Sequence, residues 1–215
     1  MILSSGISSC IICALPATEH ETIAPELERF LAAGPPPVFM GFGSLMPLQS
    51  WQLDKTVALL KKAARLAGCR AIIQADIHAN DVEAPPSLGV PDRVMIVRRT
   101  PHAQVFPRCA AVVHHCGAGT THTTLKAGVP SIPVPHISDQ FQWADELRRL
   151  GIISGWVSRR RLTAVRLARR IRETLDTPRF RDNAQRIEAQ MRDDDGPRTA
   201  ARLIESAVAG RGHGL

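Results

Sequence analysis

The sequence predicts an α/β domain built on a doubly wound, parallel, Rossmann-like sheet, and three observations point to it. Short apolar runs recur between stretches of helical spacing, the alternation that produces a parallel sheet. The runs themselves show little polar alternation, as expected of strands covered on both faces. Turns rich in small or polar residues follow the first, fourth and fifth runs, at the edge where open α/β sheets bind ligands. A chain of 215 residues can bury one full core. No stretch of it approaches the roughly 20 apolar residues of a spanning helix.

The proline cluster of "PPPVFMGFGSL" closes a linker and delivers the first strand, Val38 to Phe42. In "WQLDKTVALLKKAARLAG" the residues Leu53, Val57, Leu60, Ala64 and Ala67 recur at helical spacing, and Gly68 stops the helix. "RAIIQA", "RVMIV" and "AAVVHH" are the second, third and fourth strands. A helix then runs from Ala118 to Ala127 and is closed by Gly128 ahead of Pro130. "SIPVP" is the fifth strand, and "DQFQWADELRRLG" a helix with Asp139 at its start and Gly151 after its end. From Thr163 onward the pattern predicts two or three helices, the last preceded by acidic residues and started by Pro197.

With 44% hydrophobic and 22% charged residues, the composition is that of a folded globular chain. The net charge of +7 raises the question of nucleic acid. Its arginines, however, are mixed with acids along helical repeats after Ser158, and aromatic residues make up only 4%, which argues against base-stacking platforms. No nucleic-acid partner is therefore expected. Five cysteines of scattered spacing make no disulfide framework, and Cys10 with Cys13 has no second pair to complete a zinc site. A reducing, cytoplasmic setting fits them. The opening apolar run lacks the basic start of a secretion signal.

The turn "HHCGAGTTH" has two glycines of a dinucleotide fingerprint, but His122 stands where the third would be. Asp139 follows about 20 residues later, as a ribose-binding acid would. A nicotinamide site thus remains a minor alternative. No lysine follows, so the turn is not a P-loop. What remains is a helix N-terminus whose free N–H groups at Ala118 to Thr120 favour a phosphate. Alternation along a strand separates His114 from His115, leaving His115 nearer the turn as the anion contact and His114 as its packed neighbour. His114, Cys116 and His122 match no metal-ligand spacing, and no metal is expected. In "GFGSL" Met46 excludes a nucleophile elbow, so Ser44 is read as a hydroxyl donor. Asp139 and Gln140 carry the groups that grip sugar hydroxyls, or else cap a helix.

"VFMGFGS", the segment "TPHAQVFPRCAAVVHHCGAGTTHTTLKAGVPSIPVPHISDQFQWADELRRLGI" and the helical tail resemble the C-terminal, donor-binding half of family 1 glycosyltransferases of the GT-B fold. Within the UDP-glycosyltransferase superfamily the likeness is to the sterol and natural-product glucosyltransferase branch, and it covers roughly residues 25 to 209. The resemblance implies a donor substrate, a UDP-sugar or dTDP-sugar, and no cofactor. It places the diphosphate against Ser44, His115, Gly117, Ala118, Gly119 and Thr120, the nucleobase against Thr100 and Gln104, and the sugar against Asp139 and Gln140. It divides the chain into a leader or linker remnant at 1-22, a nucleotide-sugar-binding domain at 23-209 and a flexible tail at 210-215. The acceptor pocket and catalytic base belong to the amino-terminal half of such enzymes, so no catalytic residue is expected here. An acceptor domain or subunit is the implied partner, with a lipid or membrane acceptor reached through it. Three readings follow: the donor half of a hexosyltransferase, the donor subunit of a split two-chain enzyme, or a nucleotide-sugar-binding module without catalysis.

Overall fold

The computed structural model describes residues 22–46, 50–75, 93–192 and 196–210. In chain order the elements are α1 (Pro25–Ala32), β1 (Val38–Gly41), α2 (Ser50–Ala67), β2 (Ala71–Gln74), β3 (Val94–Val97), α3 (His102–Val105), β4 (Ala111–His114), α4 (Ala118–Lys126), β5 (Ser131–Pro133), α5 (Gln140–Arg149), α6 (Ala164–Leu175), α7 (Pro178–Met191) and α8 (Gly196–Gly210). The five strands form one sheet in the order β3-β2-β1-β4-β5. Every pairing is parallel, with Met40 opposite Ile73 on one side and Val113 on the other. The chain therefore winds outward twice from the centre, and the winding reverses between β1 and β4.

Alternate strand residues divide the core. Val38, Met40, Ala71, Ile73, Ala111 and Val113 point to the face covered by α2 and α6, where Leu60, Leu167 and Ile171 meet them. Phe39, Ile72 and Val112 point to the other, against Leu27 and Leu31 of α1 and Val105 of α3. A third cluster lies among α4, α5 and α7, with Leu125, Leu147 and Ile187 at its heart. β3 departs from the expectation of strands covered on both faces. All four of its residues are only half-buried at one edge of the sheet, whereas β5, at the other edge, is buried.

The predicted strands and helices are found with ends shifted by a residue or two. Two helices were not legible in the sequence. α1 has only Leu27 and Leu31 as its buried stripe, and α3 is a single turn continued by a 3-10 turn at Phe106–Arg108. Cys10, Cys13, residues 1-21 of the predicted leader and 211-215 of the predicted tail lie outside the described residues, while Gly210 closes α8. No helix among the described residues is long and apolar enough to cross a membrane.

The tail starts at a true helix cap. Thr163 has an extended backbone, and its hydroxyl accepts a hydrogen bond from the Arg166 N–H at 3.3 Å. Replacing Thr163 by Ala leaves that N–H without its cap, and we expect a loss of about 1 kcal/mol in urea unfolding. An unchanged midpoint would show that solvent serves that N–H equally well.

Candidate functional site

Open α/β sheets bind ligands beyond the carboxyl ends of the strands, where the winding reverses. Here that point lies between β1 and β4, whose last residues, Gly41 and His114, are paired. Beyond β1 the chain passes through buried Phe42 into Gly43, which adopts φ +55°, and a 3-10 turn at Gly43–Leu45 leaves Ser44 exposed. Beyond β4 come His115, Cys116 and Gly117, and then α4. Beyond β5 the segment from Pro135 to Asp139 leads into α5.

The separation of the two histidines has a sharper cause than strand alternation alone. β4 ends at His114, which follows Val112 onto the α1 side of the sheet and is fully buried. Its Nδ1 accepts a hydrogen bond from the Cys116 N–H at 3.2 Å. His115 already lies outside the strand, and Cys116 turns the chain with φ +65°, a left-handed conformation that costs a residue with a Cβ about 1–2 kcal/mol. Ser138, at φ +48°, is similarly strained in the loop after β5. Strain of this kind persists where the surrounding structure holds it, commonly at binding sites.

That turn lays the His115 ring between two glycines. A Cβ on Gly117 would lie 2.4 Å from His115 Nε2, and one on Gly43 would lie 3.1 Å from Cε1. The imidazole therefore fills the space that side chains would take, with Nε2 against the first residue before α4. Gly117 is the N-cap and provides no side-chain cap, so the N–H groups of Ala118, Gly119 and Thr120 open α4 without one. A histidine nitrogen, three helix N–H groups and the helix dipole form a cradle suited to an anion. Burial lowers the His115 pKa, and the Asp139 carboxylate acts on it in the opposite direction.

Asp139 is exposed and occupies the N-cap position of α5 without making a side-chain cap, which removes the capping explanation for it. Gln140 is buried, and its Oε1 accepts from the backbone N–H groups of His136 and Ile137 at 2.8 and 3.2 Å. Its carbonyl is thus committed to shaping the loop. Thr100 is buried in the loop after β3, and its hydroxyl has no protein partner. Gln104 is exposed on α3. Thr100 lies in the loop after β3, two strands from β1, whereas α3, which carries Gln104, packs through His102 and Val105 against Phe39 of β1. Among the described residues no group of three or more metal-ligating side chains converges.

Residues 58–206, more than half of the chain, match the family described as erythromycin biosynthesis protein CIII-like, C-terminal domain. The chain belongs to this family. An uncharacterized glycosyltransferase of Mycobacterium leprae is 38% identical over 188 residues, covering 86% of this chain and 42% of the relative. The O-mycaminosyltylonolide 6-deoxyallosyltransferase of Streptomyces fradiae is 34% identical, covering 85% of this chain and 40% of the relative. The crystal structure of the glycosyltransferase VinC in complex with dTDP superimposes with a TM-score of 0.66 at 26% identity, covering 92% of this chain and 47% of VinC. The CIII-like domain thus has the Rossmann-like fold of GT-B glycosyltransferases. It spans less than half the length of these relatives.

Sequence reasoning did not single out the groups that hold the CIII-like site in shape. Phe42 packs edge-on against His136, with ring centroids 4.9 Å apart, and the Arg159 guanidinium lies 5.5 Å from the Phe42 ring centre. Arg159 also donates from Nη2 to the Thr56 hydroxyl at 2.7 Å, tying the segment before α6 to α2. The sequence signal for Arg159 was submerged in a run of three arginines. Behind the cradle, His102 shares a 2.7 Å hydrogen bond with Gln74 and stacks on Phe106.

Burial pushes His114 down to about 3, and His102 and His136 down to about 4. An unfolded histidine titrates near 6.5, so below that pH the unfolded chain binds protons that the folded domain refuses. Stability then falls as the pH drops from about 6.5 toward 4, by up to roughly 1.4 kcal/mol per pH unit for each histidine. His114 contributes most, because it is fully buried while the other two rings are only partly buried and partly screened. We expect the urea midpoint to be level between pH 7 and 8 and to decline steadily toward pH 5. A midpoint unchanged down to pH 5 would contradict the burial of these rings.

Proposed function

We propose that the domain binds a nucleoside diphosphate sugar, a UDP- or dTDP-hexose, and serves as the donor half of a glycosyltransferase that moves the hexosyl group to a hydroxyl of a lipid or small molecule. The observation that carries this reading is the His115 ring seated against Gly43 and Gly117, with Nε2 beside the uncapped start of α4. In this reading His115 Nε2 and the N–H groups of Ala118, Gly119 and Thr120 donate to the diphosphate, and Ser44 closes over it from the β1 turn. Asp139 accepts from sugar hydroxyls and the amide of Gln140 adds to that grip, while the loop carrying Thr100 and Gln104 borders the base. The helix dipole and these fixed donors stabilise the charge that develops on the departing diphosphate.

Acceptor recognition and the proton-accepting base are assigned to a further domain or a separate subunit, since the chain spans only 42% of its Mycobacterium leprae relative. The exposed Leu203, Ile204 and Val208 of α8 supply an apolar surface for such a contact. Titration calorimetry with UDP, dTDP and their glucose conjugates tests the donor reading. Binding in the millimolar range or tighter is expected, with dependence on the diphosphate. Absence of heat with all four ligands would overturn it.

A further inference from the structure

His136 has no role in the reading above, yet the structure holds it tightly. Its Nδ1 lies 2.8 Å from the Val134 carbonyl oxygen. A carbonyl only accepts, so Nδ1 carries the proton, and Nε2 of the neutral ring presents a lone pair. That Nε2 is buried and has no protein partner. Burial, with the positive charge of Arg159 adding to it, keeps the ring at a pKa of about 4 and therefore neutral at pH 7. Gln140 fixes the loop on either side of the ring, and Phe42 packs against it.

The His136 ring meets the His115 ring at 90°, with centroids 6.3 Å apart. His115 Nδ1 is also buried and without a protein partner. Two such atoms on neighbouring rings would each cost about 1–3 kcal/mol if left unsatisfied. The rings are too far apart for a direct hydrogen bond and suitably spaced for one shared water. A water between them donates one proton to His136 Nε2, which can only accept, and offers His115 Nδ1 either its second proton or an oxygen lone pair. In the first arrangement His115 carries its own proton on Nε2, the atom facing Gly117 and the start of α4.

We propose that His136 is a positioning residue, which through one buried water to His115 Nδ1 keeps the His115 proton on Nε2, aimed at the diphosphate. The purpose of this tautomer rests on the donor-site reading, but the tautomer itself does not. Phosphate oxygens accept hydrogen bonds, so a His115 with its proton on Nδ1 would present a lone pair to the anion and repel it.

Long-range proton–nitrogen NMR on the chain labelled at its histidines reads the tautomer of His115 without any nucleotide. The wild type is expected to hold its proton on Nε2. His136→Phe removes the water's acceptor, and His115 should shift toward a mixture of tautomers while dTDP binding weakens about fivefold. His136→Gln places an amide oxygen within reach of the same water and should restore both readings. A wild-type proton on Nδ1 overturns the proposal whatever the variants do, as does a His115 spectrum unchanged in His136→Phe. A failure of the donor-site reading would appear separately, as a wild type with the expected tautomer that binds no dTDP.

Discussion

Gly117→Ala is expected to abolish measurable dTDP binding at concentrations that saturate the wild type, and to cost about 1–3 kcal/mol of stability by overpacking. The backbone is not the obstacle, because Gly117 has φ −64° and ψ 143°, which any residue adopts. The obstacle is the new methyl group, which would lie 2.4 Å from His115 Nε2. On its other side the ring lies beside Gly43, where an added Cβ would stand 3.1 Å from Cε1. The methyl therefore displaces the imidazole and occupies the entrance to the α4 cradle at once. Calorimetry and urea unfolding on the same preparation separate the two effects. Wild-type affinity in Gly117→Ala would mean that the anion sits elsewhere.

His115→Ala removes only one donor and leaves the α4 N–H groups in place. It should weaken dTDP binding by about 1–3 kcal/mol, the range for a hydrogen bond to a charged group and its loss. That corresponds to roughly 5- to 150-fold in Kd. Because α4 still offers its dipole, residual binding of the diphosphate should persist and remain sensitive to salt. Circular dichroism should confirm that the fold is kept, as the substitution opens space at the sheet edge without inserting anything into the core. An unaltered Kd would remove His115 from the site, and with it the reason for the two glycines around the ring.

The sheet was legible because its strands are short, apolar and separated by helices with an evident stripe, as at Leu53, Val57 and Leu60. α1 was not legible, since two buried leucines spaced four apart in eight residues give too little periodicity to separate helix from linker. The turns that gather at the site could be named from the sequence, because strand order in a doubly wound sheet brings β1 and β4 together. Their conformations could not. Nothing in "HHCG" shows that Cys116 adopts a left-handed turn, although that turn puts His115 between Gly43 and Gly117. His136 and Arg159 were hidden for a different reason. Their contacts with Phe42 join residues far apart in the chain, and no local pattern encodes such an encounter.

Gln140 illustrates the limit of reading a role from residue type. Asparagine and glutamine offer both a donor and an acceptor, and here the acceptor is spent on the backbone of His136 and Ile137. Its loop-shaping role could be assigned only once the hydrogen bonds were known. Asp139 is the opposite case, a residue that sequence reasoning could explain as a cap and that the structure leaves uncapping and exposed.

In the proposed function, the cleft between the carboxyl ends of β1 and β4 receives the diphosphate of a nucleotide sugar. A crystal structure of the chain grown with dTDP tests it most directly. Phosphate oxygens are expected within hydrogen-bonding distance of His115 Nε2 and of the N–H groups at Ala118 to Thr120, with Ser44 beside them. A dTDP whose phosphates lie away from α4, with the His115 ring untouched, would contradict it.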